Sequence, residues 1–224
     1  MDIKVKFTEE ANQFLESIPI KAYQKIVYNV LKLEHGIVDN ELFKKLEGTD
    51  IWELRTLFNS IHYRLFAFWD TEEETLIIAT HGIIKKTQKT PVKEITKAEP
   101  SEKNILKIKR KDNRMAKMKL TPLSEHVNKA WGEIGTPERE AMEARLEEEL
   151  NAYFVGEAIK KARLQHNLTQ EELGDRIGVK KSQISKLENG RCIITLPTMS
   201  RIFRALGIAT ASLDLGSLGK ITLW

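Results

Sequence analysis

Apolar and polar residues alternate from Ile3 to Phe7, which predicts a short strand. Thr8 then precedes Glu9 and Glu10 as a helix cap, and Ala11, Phe14 and Leu15 form the apolar stripe of a first helix. After a turn at Pro19, Ala22, Ile26, Val30 and Leu33 recur at helical spacing until His35-Gly36, a carboxy-terminal stop. The period then changes. Leu42–Leu46, Ile51–Phe58, Ile61–Trp69 and Thr75–Ile84 are rich in β-branched and aromatic residues and read as strands. Gly48, Asn59-Ser60 and the acidic stretch Asp70–Glu74 separate them. Pro91 opens a helix from Val92 to about Ala98.

Past a polar, lysine-rich stretch the helical period returns. From Thr121 onward, Pro122, Leu123, Val127, Ala130 and Trp131 make an apolar stripe that Gly132 and Gly135 break. Thr136-Pro137 with Glu140 starts another helix, expected to run through Leu150, with Met142, Leu146 and Leu150 on one face and acids on the other. Tyr153 to Leu206 holds four more helical segments. The last residues, LDLGSLGKITLW, suit a strand or a cover over apolar surface. The fold class expected is α+β: a small domain of two helices, an antiparallel sheet and a terminal helix, then an all-α domain with a helical extension.

A length of 224 residues fits about two domains. The expected division is 1–99, a connector 100–117, a helical extension 118–152 and a terminal domain 153–224. Net charge is only +4, but it is unevenly spread. The connector carries 7 basic and 2 acidic side chains, the extension 4 and 8, and the terminal domain 11 and 6. Met118 directly precedes the well-formed segment LTPLSEHVNKAW, as if two reading frames were joined, by evolution or by design. No run approaches the roughly 18 apolar residues of a membrane helix, and the amino terminus has no secretory apolar region. A cytoplasmic protein without cofactor or metal centre is expected. The single cysteine, Cys192, excludes an intrachain disulfide and reads as a packed residue.

Thr169 to Leu206, TQEELGDRIGVKKSQISKLENGRCIITLPTMSRIFRAL, carries the sharpest signal. Thr169 caps a helix and leaves Gln170 near its exposed amides, where a phosphate would sit. Gly178 occupies the turn, and Leu173, Ile177, Val179, Ile184 and Leu187 are spaced to pack two helices together. Lys180, Lys181, Ser182, Ser185 and Lys186 fall on the outward side of the second helix. Residues 153–207 resemble a lambda-repressor-type helix-turn-helix domain, matching at Leu168-Thr169-Gln170, Gly178, Ser182 and Glu188-Asn189-Gly190. The resemblance implies that Lys181, Ser182, Ser185 and Lys186 face base edges in operator DNA, with Gln170 and Asn189 on phosphate. Plain surface charge is the competing reading of Lys180 and Lys181.

In the first hundred residues, Arg55 and Arg64 lie in adjacent expected strands, where side chains of matching parity converge on one face. The guanidinium fork suits phosphate oxygens. Glu53 shares the Arg55 face and either orients it or acts as a base. An Arg55 pairing with Glu53 or Asp50 is the purely structural alternative. His81, an imidazole and so a candidate for proton transfer near neutrality, precedes Lys85, Lys86 and Lys89. Together with Lys45, these supply candidate RNA contacts. Trp52, Phe66, Phe68 and Trp69 read as core. The segments KKLEGTDIWELR, HYRLFAFW and ATHGIIKKTQKTPVKEITKA resemble RelE/HigB-type toxins, in particular the phage-derived Gp49-like branch. That resemblance implies a metal-independent endoribonuclease acting on mRNA at the ribosome, with Arg55, Arg64, His81, Lys85, Lys86 and Glu53 in its site. The tyrosine that some relatives place after the lysine-rich strand is missing, which leaves the acid and base unassigned.

Toxin-like then repressor-like segments match the order of HigB/HigA-type toxin–antitoxin pairs. The resemblance implies that 119–151 neutralises the ribonuclease within or between chains, through apolar faces at Leu123, Val127 and Trp131 and the acids Glu147–Glu149. It also implies operator binding as a homodimer. The alternative is a transcriptional regulator whose RelE-like part is an inactive dimerisation or ligand module.

Overall fold

A computed structural model describes residues 3–70, 75–78, 82–85, 120–208, 210, 212–214 and 216–222. The expected helix at 92–98 lies outside the described residues. The chain divides into two compact units, Met1–Met142 and Glu143–Trp224.

The first unit contains, in order, β1 (Lys4–Phe7), α1 (Glu9–Ser17), α2 (Ile20–Glu34), β2 (Phe43–Lys45), β3 (Trp52–Phe58) and β4 (Ile61–Asp70). β5 (Thr75–Ile78), β6 (Gly82–Lys85), β7 (Thr121–Pro122) and α3 (Leu123–Trp131) follow. Thr8 caps α1 as expected, its hydroxyl accepting from the Ala11 amide at 3.3 Å. The strands form one sheet in the order β2-β3-β4-β5-β1-β7, with β6 also on β4. Its pairs are antiparallel except β1 with β5, which run parallel. The expected strand Thr75–Ile84 is two strands. β5 pairs with the far end of β4 (Phe68↔Ile77), whereas β6 pairs near its start (Leu65↔Gly82). Three steps along β4 thus face five along its partner, which no uninterrupted ladder permits.

Register assigns the two faces of this sheet. Leu54, Thr56, Tyr63 and Leu65 point to the helices, and Asn29 of buried α2 donates to Thr56 Oγ1 at 3.0 Å. Phe14 of α1 lies so close over Gly82 that a Cβ there would fall 2.0 Å from its ring. This contact leaves Phe14 half-buried, at the edge of the stripe rather than within it. The opposite face carries Phe66 and Phe68, packed with Ile51, Leu46, Ile83 and Leu120.

β7 and α3 complete the unit. Thr121-Pro122, expected to begin a helix, instead adds a short strand to β1. Pro122 fits because its missing N–H is tolerated at a sheet edge. Leu123, Val127 and Ala130 of α3 are buried, and α3 packs on α2 and β1. A polar chain runs through the contact. Asn12 Nδ2 donates to Thr121 Oγ1 at 2.8 Å, leaving its carbonyl oxygen 3.0 Å from His126 Nε2. Tyr23 Oη lies 3.1 Å from His126 Nδ1 and donates to the His126 carbonyl at 3.1 Å. The His126 ring also sits 4.3 Å from that of Phe7, centroid to centroid. Gln24 Nε2 donates to the Ala130 carbonyl at 2.8 Å near the end of α3.

In the second unit, α4 (Pro137–Gln165), which begins in the first, is followed by α5 (Gln170–Ile177), α6 (Lys181–Glu188) and α7 (Leu196–Ala205). A small β8–β9 pair, Ser212–Asp214 with Lys220–Thr222, ends it. The expected break after Leu150 is absent: α4 continues to Gln165, because no proline or glycine interrupts it before Gly156. Gly156 itself serves packing, since a Cβ there would lie 2.3 Å from the Leu187 carbonyl oxygen. Its absence lets α4 approach the end of α6. Ile159, Leu173, Ile184 and Ile202 are the fully buried centre of this unit. Cys192 is exposed, contrary to the packed position expected, because it lies beyond the end of α6 rather than on an inward face.

Burial, then the charge of Lys129, pushes the His126 imidazole down to about 4, with Glu16 opposing. The ordinary value of 6.5 applies in the unfolded chain, so the unfolded state takes up the proton first as pH falls. The contribution of His126 is therefore complete above about pH 6.5 and is lost toward pH 4, amounting to about 3 kcal/mol. Urea unfolding of the wild type and of His126→Gln at pH 7, 5.5 and 4.5 should give converging stabilities. Parallel curves would contradict this.

Candidate nucleic-acid interface

The face of the first unit that looks away from α2 bears a charged ladder. β3 and β4 are joined by the two-residue turn Asn59-Ser60, both residues having positive φ (48° and 62°), as a tight hairpin turn of right-handed twist requires. That turn fixes Phe58 opposite Ile61, and hence Arg55 opposite Arg64. Arg55 and Arg64 thus share one rung, with Ile83 of β6 beside Arg64. Glu53, one rung deeper, is 1 % exposed and joins them. Its Oε2 accepts from Arg55 Nε at 2.7 Å, and its Oε1 stands 3.4 Å from Arg64 Nε. Arg64 Nη1 donates to the Tyr63 carbonyl at 3.0 Å.

Two guanidiniums directly opposite one another repel, and Glu53 is the counter-charge that lets them share the rung. Burial pulls the Arg64 guanidinium below its usual value, with Arg55 adding to this and Glu53 opposing it. Exposure rises along the ladder toward the hairpin. Arg64 is 6 % exposed, the Arg55 side chain 29 %, and Leu57 on the next rung 58 %. Leu57 is paired with His62, a half-buried residue that the sequence reading passed over. The turn would have revealed it, because the same register that pairs Arg55 with Arg64 pairs Leu57 with His62.

The remaining expected residues distribute unevenly. Lys85 pairs in register with His62, two positions along β6 from Ile83. His81, Lys86 and Lys89 lie outside the described residues. Lys45 pairs with Trp52, so its register position belongs to the helix side of the sheet; its ammonium contacts Asp50 at 2.9 Å. Lys44, opposite Glu53, is the exposed β2 lysine on the arginine side. Trp52 stacks on Phe43 with centroids 4.6 Å apart, and Phe66 and Phe68 are buried.

In the second unit the sequence dictates a helix-turn-helix locally. Thr169 and Glu172 form a reciprocal capping box on α5, at 3.1 and 2.7 Å, and that carboxyl is held below its usual range by the Thr169 backbone. Gly178 takes the left-handed conformation, φ 72°, which a residue with a Cβ adopts only under strain. Gly174 admits the Val179 carbonyl oxygen 2.6 Å from where its Cβ would be. Lys180, Lys181, Ser182 and Lys186 are exposed on or beside α6, while Ser185 is half-buried. Asn189 Nδ2 donates to the Ser185 carbonyl at 2.8 Å. Gln170 turns inward: its Nε2 donates to Glu188 Oε2 at 2.7 Å. Glu188, 1 % exposed, also receives Arg163, whose Nη2 donates to Oε2 at 3.0 Å. Arg163 further donates to the Leu168 carbonyl, so this pair ties α4, the start of α5 and the end of α6 together. Sequence alone marked Glu188 as a motif residue without showing its buried partner.

These geometries define a chain that couples a paired-arginine sheet face with a helix-turn-helix. Residues 13–103 match the family model described as Phage derived protein Gp49-like (DUF891), and residues 159–213 match that described as Helix-turn-helix. The chain therefore carries a Gp49-like domain of the RelE/HigB-type toxin family, joined to a helix-turn-helix domain of the XRE type. No curated protein and no solved structure matches it. Among the described residues, no helix is long and apolar enough to cross a membrane.

Glu53→Gln removes the only counter-charge on this rung found among the described residues, leaving two facing guanidiniums. The first unit should lose about 3–5 kcal/mol in urea unfolding followed by tryptophan fluorescence. A loss below about 1 kcal/mol would show that the carboxylate does not hold the pair.

Proposed function

We propose that this chain unites a type II toxin and its antitoxin: a metal-independent mRNA endoribonuclease in the first unit, restrained by β7 and α3, with an operator-binding autorepressor in the second. The observation that carries the reading is the Arg55–Arg64 rung, held by Glu53 and most open toward Leu57. RNA cleavage without metal requires the pentacoordinate phosphate to be neutralised, and two fixed guanidinium forks suit that charge. Glu53, buried and engaged by both arginines, orients them. The family resemblance adds Lys85, Lys86 and Lys89 as RNA contacts and His81 as a proton-transfer candidate. The ribosome is the expected setting for cleavage, the fused form is expected to be inhibited, and the cytoplasm is its expected location.

A second reading is favoured by one observation, the near-complete burial of Arg64. An arginine locked to a buried carboxylate also serves folding alone, which fits a regulator whose Gp49-like domain is inactive. Release of the restraint separates the two. Val5, Phe7 and Tyr23 are buried in the unit that α3 completes, so substitution in α3 is a milder release than truncation. The full chain bearing Leu123→Asp and Val127→Asp should arrest growth and deplete mRNA. Adding Arg55→Ala and Arg64→Ala should abolish both effects. Intact messages in cells holding the soluble, folded variant would leave the regulator reading standing.

On the DNA side, the exposed lysines of α6 supply the contact surface, and a dimer reads two half-sites. Lys181→Ala with Lys186→Ala should weaken operator binding by about tenfold or more and lower the slope of log K against log salt by about two, with unchanged thermal unfolding. An unaltered affinity would remove α6 as the reading helix.

A further inference from the structure

We propose that His62 is the catalytic proton acceptor of the arginine face, an inference that rests on the ribonuclease reading above. Transesterification needs more than charge neutralisation. The 2′-oxygen attacks phosphorus while its proton leaves to a base. The bond from phosphorus to the 5′-oxygen breaks, that oxygen takes a proton from water, and a 2′,3′-cyclic phosphate and a 5′-hydroxyl result.

The groups already on this face are poor proton acceptors. Arginine holds its proton in proteins and has no lone pair to offer. Glu53 is sealed at 1 % exposure with its oxygens turned to Arg55 and Arg64. Tyr63 and Thr56 point to the other side of the sheet, where Thr56 receives Asn29. His62 is different. It lies two residues from Arg64 on the same strand, about 6.5–7 Å along it, and therefore on the same face. It is diagonal to Arg55 across the β3–β4 ladder, a spacing that long side chains bridge. Leu57 opposite it is exposed, so the rung is open to a substrate. On its other side β6 offers Lys85 in register.

A phosphate gripped by the arginine rung brings its neighbouring 2′-oxygen within about 3–3.5 Å of phosphorus at attack. His62 occupies the next rung toward solvent, beside a phosphate held in this way. The charged residues nearest His62 by register are thus Arg55 on β3, Arg64 on its own strand and Lys85 on β6, with Glu53 one same-face position beyond Arg55. Unlike the lysines, an imidazole both accepts and returns a proton near neutral pH.

The test uses the full chain released by Leu123→Asp and Val127→Asp, acting on mRNA at translating ribosomes. His62→Ala should lower kcat about 100-fold or more, leave KM within about twofold, and recover part of its rate in added imidazole. The pH–rate profile of His62→Ala should differ in shape from that of the released chain, having lost one titrating limb. If the released chain cleaves nothing, the ribonuclease reading falls and takes this inference with it. If it cleaves and His62→Ala matches it, or loses rate without rescue and with the same pH profile, only this inference falls. In the chain without the release substitutions, uridine 2′,3′-cyclic phosphate should shift the His62 ring resonances, and Arg55→Ala with Arg64→Ala should abolish the shift. An unmoved His62 ring, in a chain whose arginines respond, overturns the assignment.

Discussion

One buried carboxylate holds the first unit's two facing arginines in place. Glu53 sits between Arg55 and Arg64, which the hairpin register forces onto a single rung. Without it, two cations would face each other beside the apolar cluster of Phe66, Phe68 and Ile83. Such a pair is costly to desolvate, and well-packed hydrophobic residues of like volume often match or exceed it in stability. A buried trio of this kind is therefore weak evidence of stability, and on the proposed reading it holds two guanidiniums ready for a phosphate. Glu188 plays the corresponding part in the second unit. It gathers Arg163 and Gln170 and fixes the helices behind the exposed lysines of α6.

The contact made by β7 and α3 is of another kind. It adds a strand to β1, buries Leu123 and Val127, and seals a chain of polar side chains through Asn12, His126 and Tyr23. The apolar residues supply the bulk of the stabilisation. The exposed Lys129–Glu16 pair, 2.9 Å apart, adds little at such accessibility. The polar chain supplies register, because sliding α3 by one residue would leave buried Tyr23 and half-buried Asn12 without their partner. His126 thereby makes the contact specific at neutral pH and vulnerable in acid.

Much of this was legible in the chain. Thr8 and Thr169 cap their helices because a hydroxyl there satisfies amides that the helix itself cannot. Asn59-Ser60 sets the β3–β4 register, and parity then places Arg55 and Arg64 together. The same arithmetic places His62 on the arginine face, opposite Leu57. Other features depend on partners distant in sequence. The division of Thr75–Ile84 follows from β4 serving two different partners, and the strand at Thr121-Pro122 exists only because β1 offers an edge. Gln170 donates to Glu188, 18 residues on, a partner that local spacing does not reveal.

The placement of α3 constrains how restraint can work on the proposed reading. α3 packs on α2, which lies on the side of the sheet opposite Arg55 and Arg64, whereas Leu120 reaches the apolar cluster beside them. The segment thus straddles the sheet edge, and its helix does not occupy the arginine rung. A helix so placed acts less on a single phosphate than on the approach of something large enough to meet both the sheet face and the helix side. A ribosome-bound message has that size, whereas a free dinucleotide does not. Restraint of this form also leaves the arginine rung chemically intact, so displacement of α3 alone restores function without refolding the sheet. The weak link for such release is the polar chain through His126, since the apolar contacts of Leu123 and Val127 do not respond to pH.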